Sequence, residues 1–75
     1  MRVQLLVTKT DFCIPNLENE LRDVGINYEI DYIEENPDQV AAHNIRHSPN
    51  IFVNGELVFR HQPTEQELKD FFHIH

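Results

Sequence analysis

The apolar positions fall into short blocks separated by turn residues. Arg2-Val3-Gln4-Leu5-Leu6-Val7-Thr8 is a Val- and Leu-rich run of strand length, which predicts a buried strand. Leu17, Leu21 and Val24 then recur at helical spacing, with Glu18, Glu20, Arg22 and Asp23 on the other side, so an amphipathic helix follows. Thr10 and Asp11 offer N-cap side chains for it. Pro15 suits its first turn, where a missing N–H costs nothing, and Gly25 supplies a left-handed stop. Residues 26–33 carry Ile26, Tyr28, Ile30, Tyr32 and Ile33 and predict a second strand. Glu34-Glu35-Asn36-Pro37 breaks that strand and opens a short helix with Val40, Ala41 and Ala42 on its inner side and Asn44 as a left-handed cap.

The strongest local signal is Asn50-Ile51-Phe52-Val53, then Asn54-Gly55, then Glu56-Leu57-Val58-Phe59. Asn-Gly between two β-type runs predicts a two-residue type I′ hairpin, because both turn residues need positive φ. Thr64 with Glu67 predicts a capping box, and Leu68, Phe71 and Phe72 the buried stripe of a last helix. The expected order is β-α-β-α-β-β-α, one α/β domain over residues 1–75. A right-handed crossover would make the first two strands parallel and the hairpin antiparallel, giving a four-stranded mixed sheet with three helices on its faces.

Composition narrows the partners. Acidic residues outnumber basic ones 13 to 6 for a formal charge of −7, which repels phosphate backbones, so no nucleic-acid partner is expected. No apolar run reaches the roughly 18 residues of a membrane helix, and the N-terminus shows no basic-then-apolar leader, so a cytoplasmic location away from membranes is expected. The chain has one cysteine, Cys13, which excludes an internal disulfide, a CxxC pair and a multi-cysteine zinc site.

From Gly25 to about Phe72 the chain resembles a small glutaredoxin or thioredoxin-like protein. The residues that carry the likeness are Gly25-Ile26-Asn27-Tyr28-Glu29, Glu34-Glu35-Asn36-Pro37, and the stretch from Arg46-His47-Ser48-Pro49 through the Asn54-Gly55 hairpin. With the first strand and helix added, the likeness covers almost the whole chain. It implies a thioredoxin-like fold, a cis peptide bond before Pro49, and a Ser48 backbone that pairs with an extended peptide or with glutathione. It also places the redox site in the loop Thr8-Lys9-Thr10-Asp11-Phe12-Cys13-Ile14-Pro15-Asn16, where a helix N-terminus favours thiolate.

The family's paired cysteines are replaced here by one, and three registers fit. Phe12 stands at the nucleophile position when the loop is read forward from Thr8-Lys9. Thr10-Asp11-Phe12-Cys13 leaves Thr10 there and Cys13 as the resolving residue. Cys13-Ile14-Pro15-Asn16 keeps the nucleophile alone, as single-thiol members do. The double glycine that helps hold glutathione in the family is replaced by Arg60-His61-Gln62-Pro63, so no resident cofactor is expected.

The expected function is thus a single-cysteine thiol-redox protein, at most a monothiol thiol–disulfide exchanger relevant to cell redox homeostasis. Its nucleophile would be Cys13, with Lys9, Thr10, Phe12, Ser48 and Pro49 meeting a protein-thiol or peptide partner. The alternative is a non-catalytic module that binds a peptide or protein in the groove beside Pro49. Each residue also has a plainer reading. Cys13 could be a small buried hydrophobe of the helix's first turn, Lys9 a solvated lysine, and Pro49 a strand initiator. His43, His47, His61, His73 and His75 read as incidental surface histidines, and no metal site is expected. The chain would be a monomer, or a weak homodimer if an exposed Cys13 pairs with its copy.

Overall fold

The computed structural model describes residues 1–73, and its elements follow from how each block satisfies its backbone. Strand β1 spans Val3–Val7, helix α1 Ile14–Asp23, strand β2 Glu29–Tyr32, helix α2 Pro37–Ala42, strand β3 Asn50–Val53, strand β4 Glu56–Phe59 and helix α3 Glu65–Phe72. A single 3-10 turn, Ile33–Glu35, joins β2 to α2. The sheet order is β2-β1-β3-β4. Strand β1 is parallel to β2, with Leu5 opposite Ile30, and antiparallel to β3, with Leu5 opposite Ile51. Strands β3 and β4 are antiparallel, with a register shift between Ile51 and Phe52. This is a mixed α/β fold with a four-stranded mixed sheet and three helices.

Side-chain alternation along the central strands divides the core in two. Val3, Leu5, Val7 and Ile51 point to one face, where Leu17 and Leu21 of α1 and Leu68 of α3 cover them. Leu6 and Phe52 point to the other, where they meet Ile45, with Val40 of α2, Ile33 and Leu57 packed around them. The first cluster holds nine buried residues and the second three, so α2 covers the thinner half of the core.

Both helices on the strand crossovers end in the same way. Gly25 has φ +76°; its N–H donates to the Arg22 carbonyl and that of Ile26 to the Leu21 carbonyl. Asn44 has φ +53°, with Asn44 N–H on Ala41 and Ile45 N–H on Val40. These are Schellman closures, and each tucks the following isoleucine into the core. The hairpin turn has Asn54 at φ +53° and Gly55 at φ +84°, the signs a type I′ turn requires. The capping box is present: Thr64 Oγ1 accepts from Glu67 N–H, and Glu67 Oε1 accepts from Thr64 N–H, both at 3.1 Å.

Four details differ from the sequence reading. Strand β2 is half as long as expected, because Ile26 is spent closing α1 and Ile33 opens the 3-10 turn. Cys13, not Thr10 or Asp11, occupies the N-cap of α1, and Asp11 instead caps from two residues earlier through its carboxylate. Ala41 and Ala42 are exposed, since a six-residue helix has room for one inward side, which Val40 takes. Phe71 is 41% exposed; Leu68 and Phe72 form the inner stripe while Phe71 lies against Phe59 and Phe72.

Candidate functional site at the cysteine loop

The loop between β1 and α1 carries the cysteine. It leaves the sheet at Thr8 and turns tightly, with Asp11 N–H on the Thr8 carbonyl at 3.2 Å and Ile14 N–H on the Asp11 carbonyl at 3.4 Å. Cys13 is half-buried, with its carbonyl accepting from Leu17 N–H at 2.9 Å as the first turn of α1. Its sulfur therefore stands at the start of a ten-residue helix. Pro15 lies in the first turn, where it sacrifices no hydrogen bond.

Opposite this loop runs the segment between α2 and β3. Its Ser48–Pro49 peptide bond is cis, and Pro49 is buried. The segment is fastened from two sides. Asn50, only 1% exposed, donates its side-chain amide to the carbonyl of Leu6 at 3.2 Å and to that of His47 at 2.6 Å, pinning the turn to the end of β1. Ser48 Oγ accepts from Thr8 N–H at 3.1 Å and donates to Asp11 Oδ2. The other oxygen of the same carboxylate, Asp11 Oδ1, accepts from Cys13 N–H at 2.8 Å. One acid thus joins the cysteine loop to the cis-proline loop.

The electrostatics oppose an activated thiol. Partial burial pushes the Cys13 thiol above its ordinary range, and the neighbouring Asp11 carboxylate adds to the effect. Lys9 is engaged by the Glu34–Glu35 turn. Its N–H donates to the Glu34 carboxylate at 3.0 and 3.3 Å, its Nζ pairs with Glu35 at 3.4 Å, and its ammonium lies 5.7 Å from the centre of the Tyr32 ring. Lys9 is thus engaged by two neighbouring surface carboxylates. Thr10 is exposed, and Phe12 is 95% exposed, the most exposed large apolar side chain described.

The structure therefore brings Cys13, Ser48 and Pro49 into one neighbourhood and leaves Lys9, Thr10 and Phe12 on its outer rim. Asp11 and Asn50 are the residues that sequence reasoning missed. Asn50 had a signal, a polar side chain where the strand pattern calls for an apolar one. Asp11 had none that named Ser48, 37 positions away. The histidines serve elsewhere: His43 packs edge-on against Phe52, and His61 pairs with Glu67 at 3.4 Å. His75 lies outside the described residues. Among those residues no group of three or more metal-ligating side chains converges, and no helix is long and apolar enough to cross a membrane. A shallow open pocket of about 200 Å³ lined by Met1, Arg2, Val3, Asn27, Tyr28 and Glu29 lies at the other end of β1, away from the sulfur.

No family model, curated protein or solved structure matches the chain.

Proposed function

We propose that this domain is thioredoxin-like, of the small glutaredoxin kind, and that Cys13 performs single-thiol exchange with a protein or peptide thiol. The observation that supports this reading is the junction of a helix N-cap cysteine with a Ser–cis-Pro turn, joined through Asp11. In the forward step the Cys13 thiolate attacks one sulfur of a partner disulfide. A new S–S bond forms, the partner's S–S bond breaks, and its second sulfur leaves as a thiolate that takes up a proton. An external thiolate then attacks the partner's sulfur in the mixed disulfide; a new S–S bond joins the external thiol to the partner, the Cys13–partner bond breaks, and Cys13 leaves as a thiolate that takes up a proton. Of the three registers, the N-cap position favours Cys13-Ile14-Pro15-Asn16, with Cys13 as the nucleophile.

The experiment is the pH profile of Cys13 alkylation, run beside mass analysis of the protein after incubation with an oxidised cysteine-containing peptide. The reading expects a mixed disulfide at Cys13 at mildly alkaline pH and slow labelling at pH 7. Absence of any adduct up to pH 9 would sink it. The raised thiol favours a second reading, a binding module that uses the Ser48–Pro49 surface without exchange. A Cys13→Ser variant that retains partner binding and biological activity supports that one instead.

A further inference from the structure

The turn between β3 and β4 holds a reactive pair that the cysteine loop does not involve. Asn54 and Gly55 are both exposed, and Asn54 is the one asparagine of the chain that a glycine follows. Every other asparagine precedes a residue whose Cβ crowds the next peptide nitrogen, and Asn50 is buried as well. The Gly55 side of the turn is open. A Cβ there would meet nothing within 4 Å, and no described residue accepts the Gly55 N–H. The Asn54 side chain is held at its other end. Its Oδ1 accepts from the Arg2 N–H at 2.9 Å, and the Asn54 N–H donates to the Arg2 carbonyl at 2.8 Å. An unshielded peptide nitrogen thus lies next in the chain to an amide whose oxygen already has a backbone donor.

We propose that Asn54–Gly55 is a spontaneous modification site, a deamidation with water as its only co-reactant. The Gly55 nitrogen gives its proton to solvent and attacks Cγ of Asn54. A C–N bond forms and negative charge gathers on Oδ1, where the Arg2 N–H already donates. The Cγ–Nδ2 bond then breaks, ammonia leaves with a proton from solvent, and a five-membered imide remains. Water opens that imide at either carbonyl. Opening at Cγ leaves aspartate, which keeps an oxygen for the Arg2 N–H and adds one negative charge to a chain at −7. Opening at the main-chain carbonyl leaves isoaspartate, with the side-chain methylene now in the backbone. A two-residue type I′ turn has no room for an extra backbone atom. That product therefore undoes both bonds to Arg2 and loosens the hairpin where Val53 pairs with Glu56. Attack requires Asn54 to leave φ +53°, and the bonds to Arg2 resist this. The folded turn consequently reacts more slowly than the same residues in a free peptide.

The test incubates the whole protein for days at pH 7 and pH 8.5 beside a free peptide of residues 50–59. Intact mass and peptide mapping that separates aspartate from isoaspartate give the readout. The protein is expected to gain about 1 Da at position 54, as both products, faster at the higher pH and behind the peptide. Gly55→Ala, whose Cβ crowds the attacking nitrogen, is expected to slow the gain severalfold, and Asn54→Asp to abolish it. Amide exchange at Arg2 and Asn54 should stay slow in N54D and become fast in the purified isoaspartate form. A protein that keeps its mass while the peptide converts overturns the site, as does a gain confined to another asparagine. A G55A variant, folded by far-UV circular dichroism, that gains mass as fast as wild type overturns the attack by Gly55. An isoaspartate form with Arg2 and Asn54 amides still protected overturns the loosening of the hairpin.

Discussion

Phe52→Ala tests whether the smaller half of the core holds the cis-proline turn in place. Phe52 is fully buried on β3 and is the largest fully buried side chain described. It packs with Leu6 and Ile45 and receives the edge of the His43 ring at 4.9 Å. Removing a buried phenylalanine costs about 3–5 kcal/mol. A domain of this length has only about 4–11 kcal/mol in total. The urea midpoint should therefore fall by more than about 1 M. The loss should also be lopsided. Helix α2 has six residues, too few to persist without packing, and the cluster beneath it contains three buried residues. Ser48 and Pro49 lie in the chain between Ile45 and Phe52, so releasing α2 frees one end of the turn. Leu21→Ala, on the opposite face, costs a similar amount and serves as the control. Amide exchange at Val40, His43 and Ile45 should be faster in F52A than in L21A. Equal exchange in the two variants, or a cost under about 1 kcal/mol, would refute the division of the core.

Three further outcomes follow from the capping box and from Glu20. Thr64→Ala removes the hydroxyl half of the capping box and should cost about 0.5–2 kcal/mol, read as a lowered melting temperature. The Glu67 carboxyl is held below its ordinary value, chiefly by the Thr64 N–H. Its stabilisation is therefore present above pH 4.5 and fades as pH falls through the lowered native value, which a melting series from pH 7 to pH 3 would follow. Glu20 has the opposite sign. Burial raises its carboxyl, Oε2 has no partner among the described residues, and only Oε1 accepts from Gln62 at 3.4 Å. Its favourable contribution is complete below pH 4.5 and is lost as pH rises through the raised native value. Glu20→Gln should therefore raise the urea midpoint at pH 7 and leave it nearly unchanged at pH 4; a destabilised E20Q at pH 7 would contradict this.

Most of the element order was legible because each block carried its own local chemistry. Asn54-Gly55 demanded positive φ, Thr64 and Glu67 satisfied each other's N–H groups, and Gly25 closed α1, all within a few residues. The errors arose where one residue had two possible employers. Ile26 reads as strand by composition, yet the helix closure used its N–H and its side chain. Phe71 reads as part of an apolar stripe, yet eight residues of α3 have only one inward row and Leu68 occupies it. The site was legible in its ends and not in its join. Cys13 and Ser48-Pro49 stood out singly, whereas the bond that unites them passes through Asp11, which local pattern assigned to capping. Long-range polar pairing leaves no periodicity to read.

The loop of residues 8–16 carries one acid, Asp11, and one base, Lys9, and it is the acid that is joined to the cysteine. A helix N-terminus favours a thiolate through unpaired N–H groups, an effect that fades beyond the first turn. A carboxylate at hydrogen-bonding distance opposes it with an effect of the same order. Here Asp11 also takes the N–H of Cys13, one of the groups that would otherwise face the sulfur's negative charge. The acid thus weakens the helix's contribution and adds its own repulsion at the same time.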